Sequence, residues 1–423
     1  MGLTHASRDT WAVLVIVTLN SVGWSATMPF LAVYLSSVRG VPLDTIGVVY
    51  LAAGLTSLGS QLAGGRLTDS IGPKRVMLVG YALSVVSALV LSYLIGVGAG
   101  TTYILLAYPV FNFLRGIAQP AASAIVANSE IRDLRTGLSL LSVAGNLGFA
   151  IGPALGGILA QTLDYSSVFL FSAAVPVVTS LITVTHVTGG LLKDSGAGGP
   201  SRTSAALRWR SDRNLILFTI LTLCGFIAIG YEISPISVYV QMFLGFTPEE
   251  IGYIFATNGL VIVLLQMPLS SVFSRARKLA YPIVASCGFA AVSFVVAASA
   301  TTFLQWEGVM VILTLGEIFL TVPSQMVLTL FSSAEVRGTF QGYYSAASIG
   351  GRSVASFVGL SSFELFSADP HVGWYAIAAF SVLLGAGFYL LADPLQREYA
   401  AKGGVMEVGG PRVPERAAEE PSR

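Results

Sequence analysis

Apolar residues run along this chain in twelve stretches, each about as long as a bilayer is thick, with polar residues confined to the gaps between them. A helix rises about 1.5 Å per residue, so roughly 20 apolar residues cross a hydrocarbon core about 30 Å thick. The pattern predicts membrane-spanning helices over residues 11–36, 43–67, 73–97, 101–128, 135–161, 167–190, 213–241, 248–273, 279–300, 304–332, 338–363 and 371–392. The first run is too long for the hydrophobic part of a signal peptide and has no clear small-residue cleavage site, so it is expected to remain as the first span.

Composition sharpens this picture. With 54% hydrophobic and 11% charged residues, a chain of 423 residues would have too few ionic groups to keep a soluble surface in water. Lipid is therefore the expected solvent. The basic residues Arg66, Lys74, Arg75, Arg132, Arg135, Lys193, Arg202, Arg208, Arg210, Arg213, Arg275, Arg277, Lys278 and Arg337 fall in every second gap. Arg8, Arg397, Lys402, Arg412, Arg416 and Arg423 lie in the termini, whereas the opposite gaps hold only Arg39. By the positive-inside rule both termini face the cytoplasm, in a plasma or inner membrane. A formal net charge of +1 and short loops argue against nucleic acid or a large soluble partner domain. Cys224 and Cys287 fall within spans as small apolar filler, giving no disulfide or metal framework.

The longest polar interruption lies between the sixth and seventh spans. A shift of 205 positions aligns residues 32–61 with 237–266, matching Val33 with Val238, Tyr34 with Tyr239, Gly40 with Gly245, Ile46 with Ile251, Gly47 with Gly252, Gly54 with Gly259, Leu55 with Leu260 and Gln61 with Gln266. An internal duplication follows. Six spans separate the copies, so both cross in the same direction, and such parallel repeats place a substrate site near the midplane between them. The expected organisation is an all-α membrane protein with two pseudo-symmetric bundles of six helices: residues 1–190, a cytoplasmic linker 191–212, residues 213–393, and a disordered cytoplasmic tail 394–423.

The gap after the second span reads GGRLTDSIGPKR, from Gly64 to Arg75. Glycine permits a tight turn there, Asp69 stands where an anion can cap a helix, and the basic pair anchors the loop on the cytoplasmic side. The spacing of Gly65, Leu67, Asp69, Gly72, Lys74 and Arg75 resembles the loop signature of the major facilitator superfamily, and the six-plus-six plan extends that resemblance over essentially the whole chain. In that family this loop latches the two halves, which implies a gating role for Gly65, Asp69, Gly72, Lys74 and Arg75. Ser70 stands where many members have Arg, and the matching stretch of the second half, SSVFSRARK, lacks the Asp.

The fifth span carries GNLGFAIGPALGG, with Gly145, Gly148, Gly152, Pro153, Gly156 and Gly157. Small residues four apart form a packing seam. The run also resembles the motif of the superfamily's antiporter branch, notably drug and proton antiporters, which implies exchange or efflux. FLRGIAQPA, with Arg115, is similar to the family's fourth-helix motif, whose Arg is associated with proton transfer. A shift of 202 brings Arg115 onto Glu317.

Arg115, Glu232, Glu317 and Arg352 lie inside predicted spans, where a lone charge costs about 2.5–3.5 kcal/mol on insertion-derived scales. They either pair as buried ion pairs that orient helices or carry protons. Glu317 shares its depth with Arg352 and, across the pseudo-symmetry, with Arg115, which keeps it ionised. Glu232 has no cation within reach on its own helix, so burial disfavours its charge and makes it the preferred proton carrier. Many multidrug relatives have an acid in the first helix, where this chain has only Asn20, Ser21, Ser25 and Thr27 as polar groups. Trp24, Phe30, Tyr34, Tyr231 and Tyr239 flank Pro29 and Pro235 and are candidate walls for a lipophilic cation.

The sequence has no H-E-x-x-H metal motif, no G-x-S-x-G elbow and no phosphate-binding loop, so an enzyme is not expected and energy must come from an ion gradient. The sequence reads as a proton-coupled antiporter exporting small lipophilic or cationic compounds by alternating access. Its partners are the substrate, protons and the bilayer; it acts as a monomer, without cofactor. The alternative is a proton-coupled uptake symporter or facilitator for a sugar, organic acid or other metabolite, with Arg115 binding an anion. A sensor or scaffold would not need buried charges at matched sites in both halves.

Overall fold

In a bilayer every backbone N–H and C=O must find its partner within the protein, and a chain this apolar does so by forming helices. The computed structural model describes residues 8–127, 134–188, 213–273, 280–331 and 337–401. They form α1 (Arg8–Ser25), α2 (Phe30–Val33), α3 (Leu43–Ile71), α4 (Pro73–Gly96), α5 (Thr101–Gly116), α6 (Gln119–Ala127), α7 (Leu134–Thr162), α8 (Tyr165–His186), α9 (Arg213–Ile229), α10 (Pro235–Met242), α11 (Pro248–Phe273), α12 (Ala280–Ala297), α13 (Phe303–Phe331), α14 (Arg337–Leu365) and α15 (His371–Ala401). Among the described residues ten helical stretches are long and apolar enough to cross a membrane, so this is a multi-pass membrane protein. The expected spans 101–128 and 338–363 are helical over 101–116, 119–127 and 338–363 but fall outside that set. The first is broken between α5 and α6 and carries Arg115; the second carries Arg352 among many Ser and Gly residues.

Two further expected spans are discontinuous. Pro29 has no N–H and clashes with the preceding turn, so α1 stops at Ser25 and the chain resumes as α2 and a π-helical turn, Tyr34–Val38. Pro235 acts likewise at the start of α10, and the preceding residues, Gly230–Glu232, tighten into a 3₁₀ turn. At the other end of the chain, α15 continues beyond Asp393 and Pro394 because LQREYAA favours helix, so residues 394–401 of the expected tail are helical. The rest of that tail, 402–423, and the expected linker 191–212 lie outside the described residues.

The main helix pairings of the first half have counterparts in the second. α1 packs on α7, α3 on α5 and α4 on α8; correspondingly α9 packs on α14, α11 on α13 and α12 on α15. The halves meet along α7 with α11 and α3 with α14. The matched Gly40 and Gly245 both adopt left-handed backbone, φ 61° and 73°, at the turns leading into α3 and α11. Along these two helices a side chain at Gly47 would lie 2.9 Å from Phe357 Cα of α14, and one at Gly252 would lie 2.5 Å from Pro153 O of α7. The repeated glycines are therefore the residues that let the halves approach.

Hydrogen bonds identify the two ends of the molecule. Thr188 donates its N–H to Asp9 at 3.1 Å, and Lys74 Nζ donates to Val184 O at 3.2 Å and Val187 O at 2.6 Å, gathering the starts of α1 and α4 with the end of α8 at one end. At the other end Arg39 donates to Ala99 O at 2.6 Å, Ser37 to Gln241, and Leu43 N to Glu364 at 2.9 Å. Those last two bonds join the first half to the second there.

Candidate functional site

The 3₁₀ turn before Pro235 carries Glu232 into the protein interior, where only 5% of its surface is exposed. Gly230 makes this possible, since a Cβ there would lie 2.7 Å from Arg352 Cα on α14. With the two backbones this close, the Arg352 guanidinium places Nη1 on Glu232 Oε1 and Nη2 on Glu317 Oε1 of α13, the latter at 2.5 Å. Asn258 of α11 lies behind the carboxylates. Its Nδ2 is 3.2 Å from Glu232 Oε2, 3.0 Å from Glu317 Oε2 and 3.0 Å from Thr314 Oγ1. One guanidinium thus serves two carboxylates, and with all three ionised the cluster carries one net negative charge.

This corrects the expected separation of the two acids. Glu232 does have a cation, supplied from a helix 120 residues away in sequence rather than from its own, and it is the same cation that holds Glu317. Arg115 does not join them. Its guanidinium lies over the Trp24 ring, 4.8 Å from the centroid, and its Nε is buried without a hydrogen-bond partner among the described residues.

Arg115 and Arg352 share a cavity of about 490 Å³. Its walls come from α1, α3, α4, α5, α6, α7 and α8, with Ile233 and four residues of α14 closing one side. Asn20, Tyr50, Gln61, Tyr81, Tyr108, Asn112 and Gln119 are among its larger uncharged polar groups, Arg115 and Arg352 are its charges, and no carboxylate lines it. It extends from about Met28 and Tyr50 at mid-height to Val17, Gln61, Ser123 and Leu141, towards the end of the molecule where α1 and α4 begin. This volume is in the range that encloses small organic ligands.

Of the five aromatic residues expected to line the cavity, only Trp24 does so. Phe30, Tyr34 and Tyr239 lie beyond the proline breaks, and Tyr231, in the 3₁₀ turn before Pro235, turns its ring the same way. Phe30 is fully buried beside α7, and Tyr34 packs on Tyr165 with centroids 5.5 Å apart. Tyr231 and Tyr239 belong to an aromatic core with Phe294, Trp306, Phe363 and Trp374. They hold helices together rather than face a solute.

In the loop after α3, Gly72 supplies left-handed backbone at φ 85° and Pro73 starts α4. Lys74 is spent on the end of α8, and Arg75 is exposed. Asp69 is exposed in the last turn of α3 and does not cap α4, whose N-cap is Gly72. Gly65 has open space around it, whereas its neighbour Gly64 packs on the Ile117 carbonyl. In α7, Gly148 and Gly152 press on the backbone of α1, at Thr18 and Val22, and Gly156 on Ala26 just beyond its end, while Gly157 would place a Cβ 2.5 Å from Pro248 O of α11. Pro153 lies within an unbroken α7 and presents its carbonyl to Gly252. Asn258, Thr314 and Glu364 were not singled out from sequence; an amide inside the apolar run of α11 was the available signal for the first.

Comparison with known proteins adds an independent line. The sequence model described as Major Facilitator Superfamily matches residues 13–356. The chain is 27% identical over 348 residues to the uncharacterized MFS-type transporter YttB of Bacillus subtilis (strain 168), covering 81% of this chain and 85% of that one. It is 22% identical over 256 residues to the quinolone resistance protein NorA of Staphylococcus aureus, covering 59% of this chain and 63% of NorA. In fold it is similar to the nucleoside transporter NupG, with a TM-score of 0.72 at 14% identity, covering 91% and 99% of the two chains. The peptide transporter POT in complex with sulfate superposes with a TM-score of 0.77, also at 14% identity, over 94% and 96%.

Proposed function

The chain belongs to the major facilitator superfamily, whose members are transporters rather than enzymes, and from that premise we propose a proton-coupled antiporter that exports small lipophilic compounds by alternating access. In this reading twelve spans form two bundles of six helices, residues 1–190 and 213–393, joined by a cytoplasmic linker at 191–212. Both termini are cytoplasmic, the membrane is the plasma or inner membrane, and the cavity faces inward.

The observation that carries the reading is Arg352 held between Glu232 and Glu317 at the cavity wall. The cluster has one more negative charge than positive, and in a poorly solvated interior that charge needs a partner. A proton supplies one. A cationic group on a substrate supplies another, but the two together would leave an excess of positive charge. Mutual exclusion of proton and substrate is sufficient for exchange. The glycine seam of α7 and the likeness to NorA support the same direction.

A specific observation favours a second reading. The wall itself displays Arg115 and Arg352 and no carboxylate, a surface suited to an organic acid. A substrate anion drawing on Arg352 would release a glutamate to take up a proton, so anion and proton would travel together as in a symporter.

The test is transport in proteoliposomes under an imposed pH gradient, comparing the parent with Glu232→Gln and Glu317→Gln. Exchange predicts that the gradient expels a lipophilic cation such as tetraphenylphosphonium and that either variant loses this. Gradient-driven accumulation of an aromatic carboxylate such as benzoate would replace antiport with symport, and flux indifferent to pH in parent and variants alike would sink both.

A further inference from the structure

The helix α3 begins without a side-chain cap of its own. Its N-cap position is Pro42, which offers no side-chain acceptor, yet the first helical N–H is satisfied. Leu43 donates it to Glu364 Oε2 at 2.9 Å, from the last turn of α14. An anion is favoured there by the unpaired N–H groups of the first turn and by the positive end of the helix dipole. This cap crosses from the second half of the chain to the first. With the Ser37 to Gln241 bond beside it, it joins the halves at the end opposite the cavity.

The two helices run antiparallel in a steady register: Leu43 is level with Glu364, Gly47 with Phe357 and Gly54 with Ser353. Continued along the pair, that register brings Asp69, in the last turn of α3, level with the first turn of α14. Asp69 is exposed, and no bond of its carboxylate to another described residue occurs. Each helix therefore ends in an acid placed at the level of the other's N-terminus, one pairing at each end of the molecule.

We propose that Glu364 and Asp69 form a reciprocal latch, in which each carboxylate caps the N-terminus of the partner helix and the two caps are made in alternate conformations. Glu364 is engaged in the conformation described; when the cavity closes and the opposite face opens, Glu364 releases Leu43 and Asp69 takes up the start of α14. The family likeness assigns a gate to the Asp69 end alone. The Glu364 end is the new element, and it rests on the alternating-access part of the proposed function, not on proton coupling.

The test uses the full chain in lipid nanodiscs, with Cys224 and Cys287 replaced by Ala and spin labels at Val38 and Met242. Both labelled positions are exposed, one on each half at the closed end. The distance distribution between the labels reports opening there. Glu364→Ala should raise the ratio of long to short distances about fivefold, Glu364→Gln about twofold, and Asp69→Asn should lower it. Adding Pro42→Ser to Glu364→Ala gives α3 a local cap without a tether, so the long distances should persist. An unchanged distribution in the Glu364 variants, or full restoration by Pro42→Ser, would reduce Glu364 to a helix stabiliser and overturn the latch. No response to Asp69→Asn would overturn its reciprocity. Should Glu364→Ala be too unstable to purify, Glu364→Gln decides alone. A shifted distribution in a protein whose transport ignores pH keeps the latch and discards proton exchange.

Discussion

Gly230 and Arg352 meet backbone to backbone, with room between them for hydrogen atoms only: a Cβ on Gly230 would stand 2.7 Å from Arg352 Cα. Gly230→Ala should force the 3₁₀ turn away from α14, cost about 1–3 kcal/mol as an overpacked contact, and abolish gradient-driven transport while the protein still inserts. Gly288→Ala is the matched control, since nothing lies within 4 Å of its Cβ position on α12. It should be neutral or stabilise by about 0.5–1 kcal/mol, read as the thermal midpoint of the purified protein.

Arg352→Met leaves two buried carboxylates facing each other and should destabilise by about 3–5 kcal/mol, as removal of one partner of a buried ion pair does. The triple variant Arg352→Met, Glu232→Gln, Glu317→Gln removes the charges together and should recover most of that loss without recovering transport. Thermal unfolding of the two proteins side by side checks the difference. Equal stability would mean that the cluster is well hydrated, against its burial.

Asn258→Leu removes the amide that lies between Glu232 Oε2, Glu317 Oε2 and Thr314 Oγ1. The cost of leaving buried acceptors unpaired is about 1–3 kcal/mol, and gradient-driven flux should fall roughly tenfold or more. Asn258→Asp should be worse, because it adds a third carboxylate around one guanidinium. Initial rates at fixed external pH measure both.

Gly156→Leu should prevent stable assembly, since even a methyl group there would collide with the Ala26 carbonyl just after α1. Gly65→Ala, two turns before the end of α3 and with open space around it, should leave the stability read from thermal unfolding within about 0.5 kcal/mol of the parent. That contrast checks which glycines of the two family-like motifs are packed.

How much of this was legible in the sequence depends on the range of the interaction. Apolar runs located the helices, because backbone satisfaction in lipid is local to each segment. The repeat pairing Gly40 with Gly245 marked two turns that share a left-handed residue, again a local demand. The partner of Glu232 was not legible, because Arg352 arrives through the packing of α9 on α14 and nothing on Glu232's own helix announces it. Tyr231 and Tyr239 were misplaced for a related reason: one lies in the 3₁₀ turn before Pro235 and the other beyond it, and packing turns both rings into the aromatic cluster with Trp374. Glu364 looked like an ordinary residue at the end of a span until α3 supplied the N–H it accepts.

The cavity wall is built almost entirely from residues before position 177, whereas Glu232, Asn258, Glu317 and Arg352 all come after position 231. On the proposed function, most of what shapes the solute's enclosure and the charges that exchange it for a proton are thus written in separate stretches of the gene product, joined at Arg352, which belongs to both. Selection acting on the earlier stretch would then retune the range of solutes carried while leaving the carboxylates of the engine in place.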